Sequence, residues 1–217
     1  MGKVFHPVAY KGKKDDIAGG SWTAPYFQPG RGEDNAFKLS ETNCGVAAPV
    51  EDESQYTDGM TANHAVEVLT NNSKTRDATG QPFFVAVGFH RPHLPWVVPS
   101  KYFDLYDRDE IELPPYKADD LDDLPERINR AKRGRSKIHK ELEKKGAVKD
   151  AIHGYLACMS YADAMMGRVL DALEASSHAD NTIVVLWSDH GYHHGEKYDW
   201  GKHTLWERTS NVRLSAR

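Results

Sequence analysis

Apolar residues are arranged along this chain in two ways, periodic and continuous. Ala62, Ala65, Val66 and Leu69 fall at i, i+3, i+4 and i+7, which predicts a short amphipathic helix over 61–70 with Asp58 as its cap. A longer stretch, 151–173, repeats the pattern at Ile152, Tyr155, Leu156, Met159, Ala162, Met166, Val169 and Leu173. Cys158 and three methionines fall within it, and core packing accounts for all four. Two runs are continuous instead: PFFVAVGF at 82–89 and TIVVLW at 182–187. Their β-branched and aromatic content predicts strands buried on both faces, with apolar cores at 83–87 and 183–187. Residues 71–80 between the first helix and the first strand read as a polar turn.

Two apolar strands, each preceded by a helix, predict βαβ units: an α/β fold with a mostly parallel sheet flanked by helices. Residues 1–58 are rich in Gly, Pro, Ser and Asp without a period, and predict a loop-rich functional surface. Residues 59–98 carry the first helix and strand, and 151–212 the second helix and strand. The charged insertion at 99–150 reads as a solvated helix–loop–helix.

Composition narrows the function. With 39% hydrophobic and 28% charged residues in 217, the chain has enough apolar material for a core. A net charge of −4 with scattered basic residues gives no nucleic-acid footprint. No run approaches the ~20 apolar residues of a membrane helix. The opening residues lack the apolar core of a secretion signal, and two cysteines cannot make a disulfide framework.

Histidine is the anomaly. Of eleven, four lie at His190, His193, His194 and His203, where the chain's mean frequency would place roughly 0.7. The first apolar strand runs into His90-Arg91-Pro92-His93 and the second into Ser188-Asp189-His190-Gly191. Ligand sites in open α/β sheets form at such carboxyl ends. Asp189 offers a hard oxygen and His190 a second ligand to a metal, with Gly191 letting the backbone turn sharply beneath it. His90 is the stronger candidate of its pair; His93 is equally explained by packing against Phe89 or Trp96. Lys3, His6, His90 and Lys202 together would suit an anionic tetrahedral group such as sulfate or phosphate.

Three segments carry a resemblance: GKVFHP at 2–7, VGFHRPHLPW at 87–96 and SDHGYHHGEKYDWGKHTLWERTSNV at 188–212. In this order they resemble type I sulfatases, most closely the iduronate-2-sulfatase-like branch, and the likeness runs from Gly2 to Val212. It implies an alkaline-phosphatase-like α/β sandwich, present incompletely, that hydrolyses a sulfate ester on a sulfated carbohydrate. It also implies a divalent cation, calcium first, and a formylglycine nucleophile made from the cysteine of C-x-P-S-R. By motif, Asp189 and His190 would serve the metal, Lys3 and His6 the formylglycine, and His90, Lys202 and His203 the substrate. His90 would protonate the leaving alcohol, and Lys202 would stabilise it. Members of the family are expected in the periplasm, outside the cell or in the lysosome.

The chain departs from the family in several places. Cys44 stands in CGVAAP and Cys158 in a predicted helix, so neither fits C-x-P-S-R, and Asp15-Asp16 lies on the wrong side of GKVFHP for the family's metal-binding pair. The expectation is an internal piece of a sulfatase that is inactive and poorly stable by itself. Two rivals remain: a phosphodiesterase or phosphatase of the same superfamily, and a non-catalytic binder of sulfated sugars.

Overall fold

The computed structural model describes residues 1–4, 22, 26–30, 37–38, 45–115, 117, 119–126 and 135–217. Among the described residues, five α-helices carry the fold: α1 (Thr57–Thr79), α2 (Ser100–Phe103), α3 (Arg135–Lys144), α4 (Val148–Glu174) and α5 (Glu207–Ser210). Strands β1 (Phe37–Lys38), β2 (Gly45–Ala47) and β3 (Trp96–Val97) form one small sheet. The β1–β2 pairing is antiparallel and β2–β3 is parallel, with Val46 opposite Trp96. Strand β4 (Val185–Trp187) pairs antiparallel with β7 (Leu214–Ala216), and β5 (His193–His194) with β6 (Trp200–Gly201).

The core lies where α1, α4 and β3 meet. Ala62 and Ala65 of α1 and Ala157, Cys158, Tyr161 and Met165 of α4 are fully buried, together with Trp96, Val97 and Val98. Helix α4 extends the predicted 151–173 by three residues at its start and one at its end. Its buried face is wider than the predicted one: Ile152, Ala162 and Leu173 are buried as expected, Cys158, Tyr161 and Met165 point inward as well, and Met159 is 47% exposed. Small residues decide this. Gly154 and Ala157 let α4 approach β2 and β3, and a Cβ on Gly154 would overlap the Val46 side chain.

Four expectations are corrected. Residues 71–79 are not a turn but the second half of α1, which ends at Gly80 in the left-handed region (φ 71°). The extension is tied down by Asp77, which accepts from Ser177 Oγ at 3.0 Å and faces His178 Nε2 at 3.0 Å. The run at 83–87 is extended but not a strand buried on both faces. Phe84 is 81% exposed, and the only ladder partner of this run among the described residues is the N-terminal segment, which the Gly2–Gly88 bridge places parallel to it. Strand β4 is likewise exposed at Val185, Leu186 and Trp187, because among the described residues only β7 lies beside it. The insertion is not wholly solvated either: His139 and Leu142 of α3 are fully buried, and Lys197 meets Asp120 at 2.9 Å.

Candidate active site

The N-terminal segment reaches the site through backbone pairing. The Gly88 N–H donates to the Met1 carbonyl at 3.1 Å, and the Lys3 N–H to the Gly88 carbonyl at 2.6 Å. A side chain at Gly88 would overlap the Lys3 backbone, so the approach requires glycine. Lys3 is thereby set beside the turn that carries His90 and His93, whose rings stand 4.8 Å apart. The ammonium of Lys3 lies 4.0 Å from the carboxylate of Asp189, the second residue after β4.

Charge couples these groups. Burial pushes the Lys3 ammonium below its ordinary range, with Lys202 adding to the shift and Asp189 and Asp58 opposing it. Burial, then the neighbouring His93, Arg91, Lys3 and Lys202, push His90 down to about 3. His93 is lowered by burial and by Lys3, Lys202 and Arg91. Lys3, Lys202, His90 and His93 therefore form one cationic neighbourhood, in which both imidazoles are neutral at pH 7. The His93 Nδ1 lies 2.7 Å from the Leu94 carbonyl, which can only accept, so Nδ1 carries the hydrogen and Nε2 has the lone pair.

The metal motif is sparser. His190 Nδ1 donates to the Gly191 carbonyl at 2.8 Å, which directs Nε2 toward Asp189 Oδ2, 3.6 Å away. Asp189 is 66% exposed. Among the described residues, no group of three or more His, Cys, Asp or Glu converges as metal ligands. One carboxylate and one imidazole beside an ammonium fall short of the six to eight oxygens that calcium takes. The described residues therefore do not by themselves make a calcium site. Gly191 is glycine for another reason than the one inferred from sequence. Its backbone has no positive φ; a Cβ there would overlap the Arg208 carbonyl, and its N–H donates to Thr209 at 3.0 Å.

The other histidines divide. His193 is fully buried, its Nε2 3.1 Å from Thr204 Oγ1. His194 packs edge-on to Tyr155 at 4.1 Å and Trp200 at 6.0 Å. These two hold the β5–β6 hairpin, so the local histidine excess overstates the site. His203 is exposed, next to Lys202. His6, Cys44 and the Asp15-Asp16 pair lie outside the described residues. Sequence reasoning missed Asp58: read as the α1 cap, it instead accepts the backbone N–H groups of His90 and Arg91. A carboxylate in a first helical turn gives no signal of such a distant partner.

A family model described as Sulfatase matches residues 16–212. A protein named Sulfatase from Formosa agariphila is 40% identical over 225 residues, covering 99% of this chain and 43% of its own length. Iduronate 2-sulfatase of Mus musculus is 29% identical over 238 residues, covering 99% of this chain and 41% of its own. The crystal structure of phosphonate monoester hydrolase of Agrobacterium radiobacter matches with a TM-score of 0.61 at 17% identity, over 85% of this chain and 36% of that one. The likeness to that structure is one of fold, the alkaline-phosphatase-like α/β sandwich, of which the described residues form part. The chain spans less than half the length of these relatives.

Proposed function

The chain belongs to the sulfatase family, and from that premise we propose that it carries the anion-binding half of an active site for hydrolysing the sulfate ester of a sugar. The observation that carries this reading is the shared neighbourhood of Lys3, Lys202, His90 and His93 beside Asp189. Two ammonium groups and neutral imidazoles in a partly dried site suit a tetrahedral oxyanion, whose charge offsets the lysine–lysine repulsion.

On this reading Lys3 and Lys202 neutralise the sulfate oxygens. As the sulfuryl group passes to the family's nucleophile and the sulfur–oxygen ester bond breaks, Lys202 stabilises the departing alkoxide, and His90 supplies its proton. A bound anion raises both imidazole pKa values, working against the burial and the lysines that lower them. Asp189 and His190 are the chain's contribution to a divalent-cation site, calcium being the cation that a hard carboxylate oxygen favours; such an ion would polarise the sulfate. His203, exposed next to Lys202, would on this reading meet the sugar. His6 keeps its proposed role beside the nucleophile on motif alone. Neither cysteine stands in C-x-P-S-R, and Cys158 is fully buried in α4, so the covalent step lies outside what these residues do.

The relative from Mus musculus is named for iduronate 2-sulfate, and we take a 2-sulfated uronic acid as the first substrate to try. The test is turnover by the full-length gene product. Sulfated uronic acid and 4-nitrophenyl sulfate should both be cleaved, and Lys202→Met should lower kcat/KM by about a hundredfold or more. Faster cleavage of 4-nitrophenyl phosphate or a phosphonate ester, or an unaffected Lys202→Met variant, would overturn the reading.

A further inference from the structure

We propose that Asp58 is a positioning residue for His90, its buried carboxylate holding the backbone turn from which the imidazole projects. The inference rests on the preceding reading of His90 as a site residue. Asp58 is 2% exposed, the second residue of α1. A carboxylate there would ordinarily serve the free N–H groups of its own helix. Its oxygens instead reach across to another segment. Oδ1 accepts the His90 N–H at 2.6 Å, and Oδ2 accepts the Arg91 N–H at 2.7 Å. Two consecutive N–H groups on one ionised carboxyl make short, charge-assisted bonds that fix both peptide planes.

The turn is held from two further directions. Upstream, Gly88 is bridged to Gly2, next to Lys3. Downstream, the buried Arg91 guanidinium donates from Nε to the Val97 carbonyl at 3.1 Å and from Nη1 to the His93 carbonyl at 3.3 Å. The His90 ring itself has no hydrogen-bonding partner among the described residues, only the neighbouring ring of His93. Its direction is therefore inherited from its backbone, and Asp58 is the group that grips that backbone at residue 90. A carboxylate on α1 thus sets where an imidazole stands relative to Lys3 and Lys202.

The test uses the full-length protein with 4-nitrophenyl sulfate. Asp58→Asn keeps the size and one acceptor but turns an NH2 donor toward the second N–H. We expect kcat to fall by about ten- to hundredfold, as when groups that orient a reacting residue are removed. KM should stay within about threefold, because substrate is still bound and only the transition state loses. Wild-type kcat, or a loss expressed through KM alone, overturns the inference. Should Asp58→Asn fail to fold, the unaltered protein decides. The amide protons of His90 and Arg91 should resonate downfield and exchange slowly, and fast exchange of both overturns it. His90→Ala separates the two readings. If that variant turns over like wild type, the reading of His90 fails; if it is impaired while Asp58→Asn is not, only the role of Asp58 fails.

Discussion

The Lys3 ammonium stands 4.0 Å from the Asp189 carboxylate, so the first residues of the chain meet the turn that follows β4. An ion pair at this distance, with Asp189 two-thirds exposed, contributes little to stability. It does not explain why Lys3 is there. The backbone does: Lys3 is carried in by pairing with Gly88, at a place where Lys202 repels it. On the reading proposed above, this partly buried cation serves a bound anion, which would also offset its repulsion with Lys202.

Removing that cation tests the arrangement. Lys3→Met in the full-length protein should lower kcat/KM on 4-nitrophenyl sulfate by about 10²–10³-fold. The thermal midpoint should not fall, since the change removes a desolvated charge and its repulsion with Lys202. Parallel kinetics and calorimetry check both halves. A drop in midpoint with unchanged kcat/KM would make Lys3 a structural residue.

Acid should destabilise the fold well above the carboxylate range. His90 titrates in the folded chain at about 3 and His194 at about 4, both lowered mainly by burial, against 6.5 when unfolded. Their folded values are depressed, so the stability they confer is complete above pH 6.5 and is lost as pH falls toward 4 and then 3. Glu196, held at about 2 by the His193 ring 3.8 Å away and by the His194 N–H despite its burial, adds a further loss below 4.5. Each histidine contributes at most about 1.4 kcal/mol per pH unit. Urea midpoints at pH 7 and pH 5 should therefore differ, the lower pH being weaker. A flat profile would remove these histidines from the dry interior.

Oxyanion binding should run the opposite way. A sulfate between Lys3 and Lys202 raises the pKa of His90 and His93, so binding takes up protons. Affinity of the full-length protein for inorganic sulfate should increase from pH 7 to pH 5. Calorimetry in two buffers of different ionisation enthalpy measures the uptake directly, and pH-independent affinity would place the anion elsewhere.

The close approach at residue 88 makes a steric prediction. Gly88→Ala forces the Lys3 backbone away. Stability should fall by about 1–3 kcal/mol, in the range of overpacked sites, and activity should fall as in Lys3→Met. Denaturant unfolding with kinetics on the same samples checks it; wild-type values of both would mean that the pairing of residues 1–3 with residue 88 is dispensable.

The hairpin that delivers Lys202 depends on the charged insertion. Trp200 Nε1 donates to the buried His139 Nδ1 at 3.1 Å, joining α3 to β6 two residues before Lys202. His139→Ala leaves an indole N–H buried without its acceptor, at a cost of about 1–3 kcal/mol. Chemical denaturation of this variant measures that cost, and a change under 0.5 kcal/mol, the size of an ordinary surface substitution, would show that the contact does not hold the hairpin.

Particular residues show what sequence reading can reach. Helix α4 was legible because its apolar period runs through six turns, and Ile152, Ala162 and Leu173 of that period are buried. The period alone does not reveal that Gly154 and Ala157 let β3 come close, which turns Cys158, Tyr161 and Met165 inward. The segments at 83–87 and 183–187 have the composition of doubly covered strands, but composition cannot say which chain segments do the covering. In the candidate site, motif resemblance names Lys3, His90, Asp189 and Lys202, and the geometry brings Lys3 to Asp189. Asp58 and His139 were not legible, because each acts through one distant backbone or side-chain partner and leaves no periodic trace.

On the reading proposed above, Lys3, Lys202 and the His90–His93 pair grip a single oxyanion beside Asp189. A crystal structure of the full-length protein with a bound sulfated sugar tests it most directly. Sulfate oxygens should then lie within hydrogen-bonding distance, about 2.7–3.2 Å, of both lysine Nζ atoms and of an imidazole of the pair. A sulfate seated elsewhere, with Lys3 and Lys202 turned away from it, would contradict it.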